Sequence, residues 1–159
     1  GYYLEASYQY FGKSLGSGFE YSKIFIDAVK YLRIYEHHII AINFVSDNTI
    51  GNPPFNQLAL LGGTKRMRGY YEGRFRDKNM LIMQAEYRTS FFGRLGGTIF
   101  GGIGEVTDHW VNYNFKNVKY SYGAGLRVVL DKKEKINLRL DFAFGQNTQG
   151  LYLTIGEAF

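Results

Sequence analysis

Few side chains in this sequence have the chemistry of a nucleophile, an acid–base pair or a metal ligand, and their spacing argues against all three roles. Cysteine is absent, which removes thiolate catalysis, disulfides and thiolate metal sites. His37 and His38 are adjacent; neighbours in a strand point to opposite faces, so the two cannot share one ion. His109 is remote from both, and Met67, Met80 and Met83 are too few for a soft-metal site. The glycine-rich run at 94–104 invites comparison with a phosphate loop, but it has neither G-x-G-x-x-G nor Gly-Lys followed by Ser or Thr. Glycine inside a strand marks a bend or close packing. No serine sits in a nucleophile motif. What remains is a set of carboxylates, Glu86, Glu105 and Asp141, among arginines such as Arg88, Arg127 and Arg139. Paired charges of this kind read as scaffolding, so the chain is not expected to be an enzyme and no cofactor or metal is expected.

The elements that must position these charges alternate with period two, the pattern of half-buried strands. Alternation recurs over residues 2–10, 19–35, 37–46, 79–89, 94–106, 120–130, 136–144 and 151–159. The cleanest case sets Ile136, Leu138, Leu140, Phe142 and Phe144 against Asn137, Arg139 and Asp141. Turns such as Asp131-Lys132-Lys133-Glu134 are mostly short. A stretch at about 47–78 does not alternate and holds both prolines, Pro53 and Pro54. The expectation is one domain over residues 1–159, all-β, with eight antiparallel strands.

Composition narrows the class. The chain has 20 Gly, 14 Tyr and 13 Phe in 159 residues, and no run nears the roughly 20 apolar residues of a membrane helix. A charge balance of +5, from 19 basic and 14 acidic residues, is too weak and scattered to point to nucleic acid. A soluble sandwich, a soluble barrel and a membrane barrel stay open. Face chemistry separates them. A soluble barrel turns its apolar face inward and shows Lys and Glu outside. Here the polar faces of the later strands carry Ser, Asn, Gly and Thr with the mixed charges Glu86, Arg88, Arg127, Arg139 and Asp141, which can satisfy one another inside a lumen. The apolar faces carry aromatics near strand ends, among them Tyr2, Tyr10, Tyr120, Phe142 and Phe144, as interfacial girdles do. The expected fold is a transmembrane β-barrel.

The long segment contains Gly62-Gly63 and then Arg68-Gly69-Tyr70, and the next strand reads Gln84-Ala85-Glu86-Tyr87-Arg88. This order resembles the bacterial surface-antigen superfamily, the barrels of outer-membrane assembly factors of the BamA/TamA type. In that family a long extracellular loop bears an Arg-Gly-aromatic tip, and an acidic residue on the following strand receives the arginine. Arg68, Gly69 and Tyr70 match the tip, and Glu86 matches the acid. Three strands precede the loop and five follow it, so the resemblance maps this chain onto the C-terminal half of a sixteen-stranded barrel. It implies a bacterial outer-membrane location, with outer-membrane lipids around the chain. It also implies a second acid near Arg68; the register places Gly102 at that position, with Glu105 or Asp108 as nearby substitutes. Leu153, Ile155 and Phe159 fit the alternating, aromatic-ended signal of outer-membrane barrels, which Glu157 interrupts.

An arginine held inside a barrel needs carboxylates or carbonyls. If Arg68 reaches Glu86, the pair would hold the loop tip against the wall; otherwise Lys65, Arg66, Arg68, Arg74, Arg76 and Lys78 make a solvated basic loop. An eight-stranded barrel is filled by its own side chains, with no room for a loop of this length. Three arrangements follow: an eight-stranded barrel carrying the loop outside, two chains joined edge to edge into sixteen strands, or a fragment of a longer chain. The first is slightly favoured. The functional expectation is an integral outer-membrane barrel related to protein assembly and translocation factors, in a reduced form without their periplasmic domains. The alternative is a structural barrel whose basic loop docks a second copy, another outer-membrane protein or an anionic glycolipid, with no insertase activity. A soluble barrel for an apolar ligand ranks third.

Overall fold

The computed structural model describes residues 1–114, 116–131 and 136–159. Among the described residues ten strands form: β1 (Tyr2–Phe11), β2 (Tyr21–Tyr35), β3 (His38–Gly51), β4 (Ala59–Leu61), β5 (Phe75–Asp77), β6 (Asn79–Phe92), β7 (Leu95–Thr107), β8 (Lys119–Asp131), β9 (Ile136–Gly145) and β10 (Thr148–Ile155). Eight of them make one antiparallel sheet in the order β1-β2-β3-β6-β7-β8-β9-β10. The other two, β4 and β5, pair as a small antiparallel ladder within the long loop. The loop therefore contains a hairpin too short for alternation to reveal. The Asp131–Glu134 turn expected from the sequence lies, beyond Asp131, outside the described residues.

Alternation decides which face is covered, and it covers the polar one. On β9, Arg139 is 1% and Asp141 0% exposed, whereas Leu140 and Phe142 are 39% and 43% exposed. Leu151, Leu153 and Ile155 of β10, Tyr120, Tyr122 and Leu126 of β8, and Ile99 and Ile103 of β7 also face outward. The buried face instead carries Asn43, Gln84, Glu86, Thr98, Ser121 and Arg127. This inverts the arrangement of a soluble barrel.

The sheet is not closed: β1 and β10 each have a single neighbour. Closure of one chain as an eight-stranded barrel, the arrangement slightly favoured from the sequence, is thus not what forms. Space explains it. The loop packs on the polar face, where it touches β2 through Lys23, whose ammonium donates to the Gln57 carbonyl, and β10 through Tyr152. A sheet that wraps around its own loop must be wider than eight closed strands allow. Between loop and sheet lies a small apolar core of Ala59, Leu61, Met67 and Tyr70 from the loop with Val45, Met80 and Ile82 from the strands.

The two ends of the sheet differ. At one, β2–β3 and β6–β7 are joined by tight turns. The other bears the β1–β2 connection, the long loop and the 108–118 connection. Strand β3 runs five residues past the expected end at Ser46, because Asp47, Asn48 and Thr49 keep pairing despite their polarity. Asp47 is held by Lys23 at 3.2 Å.

Candidate functional site: a loop tip pinned to the sheet

Arg68 and Arg139 are the largest fully buried side chains among the described residues. The Arg68 guanidinium donates to Glu86 on β6 and, at 2.5 Å, to Asp141 on β9. The ring of Phe100 on β7 lies against it, 3.5 Å from centroid to guanidinium carbon. The strands that supply these partners are β6, β7 and β9, so one loop side chain reads across the sheet. A solvated Arg68 is overturned by this geometry: guanidinium and carboxylates lose water together only when each compensates the other.

The carboxylates are shared. Arg127 on β8 donates to Asp141 at 2.5 Å and to Glu86 at 3.2 Å. Arg139 approaches Asp141 at 3.3 Å and donates to the Thr64 carbonyl at 3.0 Å. Arg88 donates to Glu86 at 2.9 Å. Two buried acids thus serve four arginines. Asp141 is the second acid at Arg68, in place of the expected position at Gly102. Gly102 instead pairs with Gln84, and the Met67 sulfur packs close above it. Asp108 lies in the 108–118 connection and accepts a hydrogen bond from Asn112. Glu105 pairs in register with Leu81, three places further along β7 than Gly102.

Gly69 follows with φ of +108°, a conformation that side chains rarely adopt. A Cβ there would stand 2.7 Å from the Phe144 carbonyl carbon, so only glycine lets the tip lie on β9. Its N–H donates to the Tyr152 hydroxyl, and that hydroxyl donates to the Tyr70 carbonyl at 3.2 Å. Tyr70 is fully buried. Its hydroxyl donates to the Tyr120 carbonyl at 2.7 Å and accepts from the Gln146 N–H at 2.8 Å. Gly145 makes room for its ring; a Cβ there would meet it at 2.6 Å.

Residues not singled out from the sequence complete the seat. Gln84 donates to the Lys65 carbonyl and to Asn43, and accepts from the Met67 N–H at 2.9 Å. Tyr152 has the contacts given above. Their signal was only position on a polar strand face. The glycine-rich strands act structurally: Gly102 and Gly104 lie under Met67 and Leu61 of the loop, and a Cβ on Gly125 would fall 2.0 Å from an Asp141 carboxylate oxygen.

Leu153 and Ile155 face outward on β10, but Phe159 does not continue their row. The strand stops at Ile155, and Gly156, at φ +93°, turns the chain inward. The Phe159 main-chain oxygen then accepts from Arg88. Alternation explains the departure: a straight strand would put Glu157 on the apolar face, where a carboxylate is costly.

The histidines do not converge. His38 contacts the Tyr87 hydroxyl at 2.5 Å, and His109 lies 3.7 Å from Asp108. Among the described residues, no group of three or more His, Asp or Glu is placed to hold a metal ion. Burial, with nearby Glu105, Asp47 and Asp77, pushes the Tyr113 hydroxyl in the 108–118 connection well above its usual range.

An antiparallel sheet with an apolar exterior, wrapped on a loop pinned by a buried arginine, defines the class. The Omp85 superfamily domain matches residues 1–159, and the chain belongs to that superfamily, which relates it to outer-membrane assembly and translocation factors. No curated protein matches the sequence.

Proposed function

We propose that this chain forms part of a transmembrane β-barrel in the bacterial outer membrane, working in the assembly or translocation of other outer-membrane proteins. The observation that carries the reading is the inverted sheet: Leu140 and Phe142 outward, Arg139 and Asp141 inward. In lipid, an apolar exterior is the favourable one and every backbone group must be paired internally. The free edges of β1 and β10 therefore call for strands beyond these eight, from the same polypeptide or another, as in the sixteen-stranded barrel of the resemblance. The short turns mark the periplasmic end and the long connections the extracellular end. Outer-membrane lipids are the surrounding partners. The pinned loop would fill the lumen from its extracellular end, while client strands enter the bilayer at a weak seam of the wall.

The docking alternative asks for a free cationic loop. Arg68 is buried, Arg66 lies over the Phe25 ring, and Arg74 and Arg76 lie against Phe75 and Phe55. These contacts leave less basic surface than the sequence alone suggests. The discriminating experiment places the purified protein in liposomes and follows membrane insertion of an unfolded barrel client. Faster insertion than in empty liposomes supports the assembly reading; an unchanged rate favours the structural one.

A further inference from the structure

The outward face of β6 and β7 carries a furrow. Its cause is a cross-strand row that reads Ile42, Ala85, Gly101, Tyr122, in which two nearly bare positions stand between two large ones. A cleft of about 280 Å³ lies at Ala85 and Gly101, walled by Ile40, Tyr87 and Ile99. Another of about 240 Å³ follows toward the extracellular end, between Phe44, Leu81, Met83, Ile103 and Val118, with Glu105 at its head. The two follow β6 from Leu81 to Tyr87, roughly 20 Å at about 3.4 Å per residue. Beyond the second cleft the outward face turns polar and is covered. Ser46, Asn79 and Glu105 are buried there. The 108–118 connection folds over them, and its Tyr113 hydroxyl donates to Asn48 at 3.2 Å.

We infer that this furrow holds one acyl chain of an outer-leaflet lipid in a fixed place, with the headgroup end at the 108–118 connection; the inference rests on the lipid-facing reading proposed above. The floor is the first support. A Cβ on Gly102 or Gly104 would press on Gln84 at 2.9 Å or Leu61 at 3.0 Å, so packing demands those glycines. A Cβ on Gly101 would meet nothing nearer than the Ser121 carbonyl oxygen at 3.5 Å, an ordinary contact. Glycine weakens a strand interior, and here the backbone does not ask for it; what it provides is the empty floor. The dimensions are the second support. At the strand tilt of about 45° usual in membrane barrels, the furrow covers a depth of about 14 Å, close to the roughly 15 Å of hydrocarbon in one leaflet. Its width is about one strand spacing, roughly 4.8 Å, which admits an alkyl chain but not a helix roughly 10 Å across. The head is the third support. Trp110, 63% exposed, stands in the same connection, and tryptophan favours the headgroup level. Within a bilayer the gain is close packing rather than escape from water.

The test uses the full chain in phosphatidylcholine vesicles that contain a minor fraction of phosphatidylethanolamine with a diazirine midway along one acyl chain. After illumination, labelled residues are mapped by mass spectrometry. Labelling at Met83, Ala85 and Ile103 is expected to exceed that at the outward-facing Leu126 and Phe142 at least about fivefold. Gly101→Val fills the floor with a residue that strands favour and should bring the furrow down to the level of Leu126. Ala85→Leu is a second filling variant, and Ala124→Leu, on the same face outside the clefts, should change nothing. Unaltered trypsin digestion of the long loop shows that each variant is folded. Even labelling across the outward residues overturns the inference and leaves the lipid-facing reading standing. Absence of label from all of them overturns both. Labelling that stays concentrated in the furrow after it is filled also overturns the inference.

Discussion

Arg68 and Asp141 are 73 residues apart in the chain and meet at 2.5 Å. Asp141 also takes Arg127 and Arg139, so this one carboxylate collects a loop and two strands. Changing Asp141 to Ala leaves three guanidinium groups without their shared partner. Removing one member of a buried ion pair typically costs about 3–5 kcal/mol. A loss of that order is expected in urea denaturation followed by circular dichroism. A shift within error of wild type would mean that the network contributes little.

The loop seat is tested by proteolysis. With Arg68→Ala, trypsin is expected to cut at Lys65, Arg66 and Arg74 faster than in wild type. Gly69→Ala should act alike, because its new Cβ would collide with the Phe144 backbone. Unchanged cleavage kinetics in both variants would count against pinning.

Tyr70→Phe isolates the hydroxyl. It removes a donor to the Tyr120 carbonyl and an acceptor for the Gln146 N–H while keeping the ring. Leaving buried polar groups unpaired costs roughly 1–3 kcal/mol. That loss is expected in the same denaturation measurement, and tyrosine at this position should be favoured over phenylalanine.

The apolar exterior is tested by charge. Leu140→Arg or Leu153→Arg is expected to destabilise the lipid-embedded protein, by about 2–4 kcal/mol if the position lies near the bilayer midplane. Folding yield into vesicles is the measurement. If arginine is tolerated at both positions, that face does not meet lipid.

Glycine in the wall is tested at Gly125. An alanine Cβ would stand 2.0 Å from the Asp141 carboxylate. Gly125→Ala is therefore expected to loosen the loop as Arg68→Ala does, read by the same trypsin digestion, whereas Gly18→Ala, with open space around it, serves as the neutral control.

Much of the fold was legible because alternation is local. Leu138 to Phe144 announced a strand with one apolar face, and the non-alternating stretch before Asn79 announced a long loop. The identity of the second acid was not legible. Asp141 stood among the charges expected inside, but its approach to Arg68 depends on how far the sheet curls, which no local pattern encodes. The β3 extension was missed because Asp47 and Thr49 look like loop residues until their cross-strand partners are known. The turn at Gly156 had a sequence signal, a glycine before a charge at an outward-facing register position. The interruption by Glu157 in the alternating terminal pattern is the mark of that bend.

The reach of Arg68 from β6 to β9 has a geometrical consequence. Strand ladders set the spacing between neighbours but leave the bending of a sheet soft. A side chain tied at both Glu86 and Asp141 is a chord across the arc formed by β6, β7, β8 and β9. The curvature of this part of the wall is thus held by two guanidinium groups, because Arg127 bridges the same two acids, and shorter side chains at both positions would let the arc flatten.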